Sequence, residues 1–187
     1  MSEDLTKLFS FQDIPNYLDI IKLLESNTSG KVYMLGGGVF RQIASKYWHV
    51  NIDYRDFDFV ATEVVDDLVL PFGWVGQKNS YGAHKIFTGE TSIDLWSHSQ
   101  QHSIISRDIP FTIESVLQLT PLTIQSIAYD LQEGVVMGHA GLEAIRSRTV
   151  GVNCLDQAKH YCSLKGCTVN EFVQQKAAAL NFRPILI

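Results

Sequence analysis

Apolar and polar positions recur along this chain with two different periods, and each change of period marks an element. Residues 11–27 carry Ile14, Tyr17, Leu18, Ile20, Ile21 and Leu24 at helical spacing, with Pro15 suited to a first turn, which predicts a packing helix. Asn27-Thr-Ser-Gly30 stops it, and the apolar stretch 32–35 reads as a buried strand. Three glycines follow at 36–38, then a helical pattern over 39–48. From Arg55 the period drops to two, so that Asp56 and Asp58 share one face of a strand and Phe57 and Phe59 the other. Residues 91–97 alternate likewise and set Asp94 opposite Ile93 and Leu95. Between these strands, residues 62–69 read as a short capped helix with Asp66 and Asp67 in solvent.

Residues 74–77, 84–87 and 92–96 form short strand runs divided by turns at Gly82 and Gly89, which predicts an antiparallel meander. Gln132-Glu-Gly134 separates 127–131 from 135–137 and predicts a hairpin. Residues 140–148 read as a short helix, and 155–180 as two helices, the second opened by the capping box Thr168-Val-Asn-Glu171. The expected fold class is α+β, a mixed α/β domain: a short twisted sheet with helices packed on one face and the other face open. Residues 1–152 would form the main domain with its N-terminal packing helix, and 153–187 a helical C-terminal appendage of the same domain.

Composition narrows the function classes. At 187 residues with 45% hydrophobic content the chain can bury a normal core, and the absence of an 18-residue apolar run excludes a helical membrane span. The start Met-Ser-Glu-Asp-Leu-Thr-Lys has no signal-peptide character, so a soluble cytoplasmic protein with no membrane partner is expected. A net charge of −5 with only 15 basic residues argues against a broad nucleic-acid track. Cys154, Cys162 and Cys167 show no Cys-x-x-Cys spacing; with His160 they could be written as a zinc set, but reduced, core-facing thiols are the expectation. His98 and His102 have metal spacing without a glutamate partner and read as surface.

Two aspartates held side by side repel unless a cation or proton intervenes, and their hard oxygens suit Mg²⁺. Asp56, Asp58 and Asp94 therefore form a candidate metal triad that would also be catalytic. Gly36, Gly37 and Gly38 let a ligand approach the main chain, and the helix after them would aim its free amides at a nucleotide's phosphates. Lys85 on the strand before Asp94 could meet triphosphate oxygens, or sit as a solvated edge lysine. Arg55 would point away from the carboxylates, and Ser80 is open to either reading.

In order, Gly-Gly, Asp-x-Asp, Tyr81-Gly82 and a lone Asp on a later strand resemble the nucleotidyltransferases of the DNA polymerase β superfamily, above all the head domain of CCA-adding enzymes and bacterial poly(A) polymerases. Leu122-Thr-Ile-Gln-Ser-Ile-Ala-Tyr-Asp130 and Gly141 to Gly151 resemble further blocks of that family, so the likeness runs from Lys31 to about Val152. It implies a nucleotidyltransferase-like fold, an NTP as substrate, a two-metal site using Mg²⁺ or Mn²⁺ on the three aspartates, and nucleotide contacts from Gly36, Gly37, Gly38, Arg41 and Lys85. The reaction implied is transfer of a nucleoside monophosphate to a hydroxyl with release of pyrophosphate. The pattern departs from the family at Phe40-Arg41, where the arginine is displaced by one residue, and at Leu119-Thr-Pro121, which stands where Arg-Arg-Asp is usual. The acceptor stays open among an RNA end, a protein hydroxyl and a small molecule. A tRNA is not expected, because residues 153–187 leave no room for the long helical body that grips it. Two other readings stand beside the enzyme: a degenerate module for nucleotide binding or regulatory interaction, and a plain α/β domain with solvated aspartates.

Overall fold

The computed structural model describes residues 4–52, 56–79 and 82–187. Among these, one sheet of seven strands organises the chain. They are β1 (Thr28–Leu35), β2 (Asp56–Val64), β3 (Val75–Lys78), β4 (His84–Phe87), β5 (Ser92–Ser97), β6 (Ala128–Asp130) and β7 (Val135–Met137), ordered β3-β4-β5-β2-β1-β6-β7. All neighbours are antiparallel except β2 and β5, which run parallel at the centre. The helices are α1 (Tyr17–Asn27), α2 (Gly37–Trp48), α3 (His102–Ile105), α4 (Ile113–Gln118), α5 (His139–Ser147), α6 (Leu155–Lys165) and α7 (Val169–Leu180). A two-residue pair, β8 (Thr149–Val150) with β9 (Arg183–Pro184), ties the C-terminal helices back to the domain.

Period-two alternation decides which face is buried. Phe57, Phe59, Ile93, Leu95, Ile86, Val32 and Met34 all point into the main core, where they meet Leu23 and Leu24 of α1 and Val39, Phe40 and Ile43 of α2. The opposite face is not left wholly open. Ile104 of α3 and Ile113, Val116 and Leu117 of α4 cover its far end, packing on Tyr33, Leu35, Ala128 and Met137. The β2–β5–β4 portion of that face carries Asp56, Asp58 and Asp94.

The expected meander, hairpin and capping box are present. Thr168 and Glu171 exchange hydrogen bonds at the start of α7, and β6 and β7 pair across the turn at 131–134. Residues 62–69 differ from the helix expected of them. β2 runs on through Val64, and the following segment is an irregular loop held by the buried Asn27. Its amide oxygen accepts from the Val69 N–H at 2.6 Å while its amide nitrogen donates to the Val69 carbonyl at 2.9 Å. Arg55, Ser80 and Tyr81 lie outside the described residues. No helix among the described residues is long and apolar enough to cross a membrane.

Candidate active site

Register brings the carboxylates together. Asp58 of β2 is the direct cross-strand partner of Asp94 of β5, and Asp56 lies two residues earlier on the same face, opposite Ser92. The Ser92 hydroxyl donates to Asp56 at 2.5 Å. Asp94 in turn pairs with Lys85 on β4, whose ammonium donates to it at 3.1 Å; the two side chains are 32% and 19% exposed. Burial, and after it the neighbouring Asp94 and Asp56 charges, push the Asp58 carboxyl up from 3.8 to about 7, with Lys85 acting in the opposite direction.

The residues fit a hard divalent cation by chemistry: three carboxylates on one face, carrying more negative charge than one lysine offsets. They are not drawn into a finished cage. Among the described residues no three His, Cys, Asp or Glu side chains converge closely enough to hold a metal ion. Mg²⁺ is commonly bound by one or two carboxylates with water and substrate phosphates completing its shell, so a loose triad suits it better than a closed one.

The three glycines have three different tasks. Gly36 takes a φ of 54° and ψ of −117° at the start of α2, a conformation closed to residues with a side chain, and its N–H donates to the Ile127 carbonyl at 2.7 Å. That amide is therefore spent on the fold, in contrast to the phosphate role expected of it. Gly38 is buried against the sheet, where a Cβ would overlap Met34 Cε and come within 3.0 Å of Phe57 Cδ1. Gly37 alone faces open space, and it heads the helix whose first-turn amides are available to an anion. Gly38→Ala is expected to cost about 1–3 kcal/mol by overpacking, whereas Gly37→Ala should be neutral or slightly stabilising. Midpoints of urea unfolding at unchanged m-value measure both.

A cavity of about 400 Å³ opens beside this turn, lined by Gly36, Gly37, Asp58 and Trp96 together with Gln157, His160, Tyr161 and Leu164 of α6. Trp96 follows Asp94 by two residues and so shares its face, a signal present in the alternation but not used in the sequence reading. The α6 residues had no such signal. Arg41 is half-buried one turn into α2 and is not among the residues lining this cavity. Asp130, which ends the second family-like block, serves the hairpin: it accepts from the Gln132 and Glu133 amides, each at 2.9 Å, and pairs with Lys31.

No sequence profile of a known family matches the chain, and no curated protein matches it in sequence. Solved structures do match in three dimensions. A CCA-adding enzyme with ATP superposes with a TM-score of 0.56 at 19% identity, over 98% of this chain and 42% of that one. A tRNA-processing enzyme in its apo form gives 0.58 at 13% identity, over 92% and 45%. A tRNA nucleotidyltransferase complexed with a primer tRNA and an incoming ATP analog gives 0.52 at 15%, over 83% and 43%. The chain thus has a nucleotidyltransferase fold resembling the head domain of these enzymes, and it spans less than half of their length.

Proposed function

We propose that the chain transfers a nucleoside monophosphate from an NTP to a hydroxyl acceptor and releases pyrophosphate. The observation that carries this reading is the Asp58–Asp94 cross-strand pair, with Asp56 on the same face, set beside a glycine turn that heads a helix. Asp56, Asp58 and Asp94 would hold Mg²⁺, or Mn²⁺, which when bound neutralises the triphosphate and acidifies the attacking hydroxyl. The amides of the first turn of α2, from Gly37 on, would orient phosphate oxygens. Lys85 would release Asp94 to contact the triphosphate, leaving that carboxylate to orient the hydroxyl or accept its proton. Trp96, Tyr161 and the amide of Gln157 line the cavity next to Asp58, a place sized for the nucleoside.

The neighbours whose structures contain CTP, ATP or a primer tRNA support an NTP as donor and place tRNA ends among the acceptors to be screened. The net charge of −5 still favours a protein or small-molecule hydroxyl over an extended nucleic acid. A second reading, nucleotide binding without turnover, is favoured by one feature: the Lys85 ammonium already occupies Asp94. Titration calorimetry of ATP, CTP, GTP and UTP with Mg²⁺, followed by pyrophosphate release assays over an acceptor panel, separates the two. Metal-dependent binding with release supports the enzyme. Binding with no release over the full panel supports the module, and absence of NTP binding overturns both.

A further inference from the structure

The end of α6 holds a feature that nucleotidyl transfer does not use. Gly166 adopts the left-handed conformation and caps α6, its N–H donating to the Cys162 carbonyl, and the Cys167 N–H reaches the same carbonyl at 3.2 Å. This is the glycine-capped helix end in which the residue after the glycine folds back onto the residue four before it, and the two side chains usually make an apolar contact there. Here both positions are cysteine. The two thiols accordingly lie side by side, close enough that the Cys167 thiol adds to burial in holding Cys162 protonated. Both are free, Cys162 buried and Cys167 partly exposed. Cys154, at the other end of α6, stands eight residues from Cys162, or about 12 Å along the helix axis, and cannot compete for either thiol.

We propose that Cys162 and Cys167 form a reversible disulfide, closed by a small-molecule disulfide such as oxidised glutathione. The accessible Cys167 thiolate attacks one sulfur of the oxidant, forming a mixed disulfide and expelling one thiolate. Cys162 then gives up its proton as its sulfur attacks Cys167 Sγ, the intramolecular S–S bond forms as the second glutathione thiolate leaves, and both expelled thiolates take up the protons that the cysteines lost. Two electrons pass from the cysteine pair to the oxidant, which is reduced to two thiols. The bond would staple the last turn of α6 to the start of α7. That matters beyond the joint itself, because Tyr161 stacks on Phe172 of α7 at 4.4 Å and, with His160 and Leu164, lines the cavity beside Asp58.

The test uses the full folded chain in reduced/oxidised glutathione buffers, followed by acid quench, maleimide alkylation and peptide mapping. Before alkylation the expected product is about 2 Da lighter than the reduced chain, and after it the Cys162 and Cys167 peptides are linked while Cys154 is alkylated. In the same buffer, the bond should be favoured at least about tenfold over that in the guanidinium-unfolded chain, because the helix cap holds the thiols together. Cys162→Ala, which avoids burying a hydroxyl, should trap glutathione on Cys167, and Cys167→Ala should yield no adduct at Cys162. A wild type that keeps glutathione on Cys167 without closing the ring overturns the proposal. So does a Cys162–Cys167 bond no more favourable in the folded than in the unfolded chain.

Discussion

The Asp56→Ala/Asp58→Ala variant is expected to lose metal-dependent NTP binding and at least about 10²-fold in transfer rate, while unfolding at the same denaturant concentration as wild type or a higher one. The two halves of this result have one cause. Asp56 and Asp58 sit on the polar face of β2, so removing them leaves the apolar partners Phe57 and Phe59 in the core untouched. It also relieves repulsion against Asp94, the direct partner of Asp58 across the strands. Residues kept for structure lower stability when deleted; a ligand set for an absent cation does the reverse. Full activity in a folded double variant would end the assignment of these carboxylates.

The metal-free protein should lose stability as pH rises from about 4 to about 7, and Asp58→Asn should abolish that part of the loss. The sign follows from the direction of the shift. Asp58 titrates near 3.8 when unfolded and at about 7 when folded, so between these values the folded chain holds the extra proton and raising pH favours unfolding. Three pH units correspond to about 4 kcal/mol, an upper bound because local relaxation admits water. Chelated wild type and Asp58→Asn should therefore coincide in stability near pH 4, with the variant ahead by up to that amount at pH 8. Excess Mg²⁺ should narrow the gap by stabilising the wild type through binding to its folded state. Parallel stability curves for the two proteins across this range would show that Asp58 is not the destabilised carboxylate.

The sequence made the carboxylate face legible because a strand's period of two is insensitive to everything but the backbone: Asp56 with Asp58, and Asp94 against Ile93 and Leu95, could be assigned to faces before any contact was known. Tertiary contacts decided what the local pattern could not. Residues 62–69 have a helix-start signature, yet pairing of Glu63 and Val64 with β1 and the grip of Asn27 on Val69 override it. The α6 wall was illegible for a different reason: helical spacing tells which residues share a face, not which element that face will meet. The cysteine pair escaped a search for Cys-x-x-Cys because the capping glycine, rather than close spacing, brings the thiols together.

The hydrogen bond from Gly36 to the Ile127 carbonyl also sets an order of events. The turn lies between β1 and α2, early in the chain, but the acceptor that fixes it stands just before β6. During synthesis the three aspartates would emerge and could pair β2 with β5 while the glycine turn still lacked its anchor. The carboxylate face can therefore form ahead of the finished glycine turn, and the candidate site gains its final shape only when a contact distant in sequence closes.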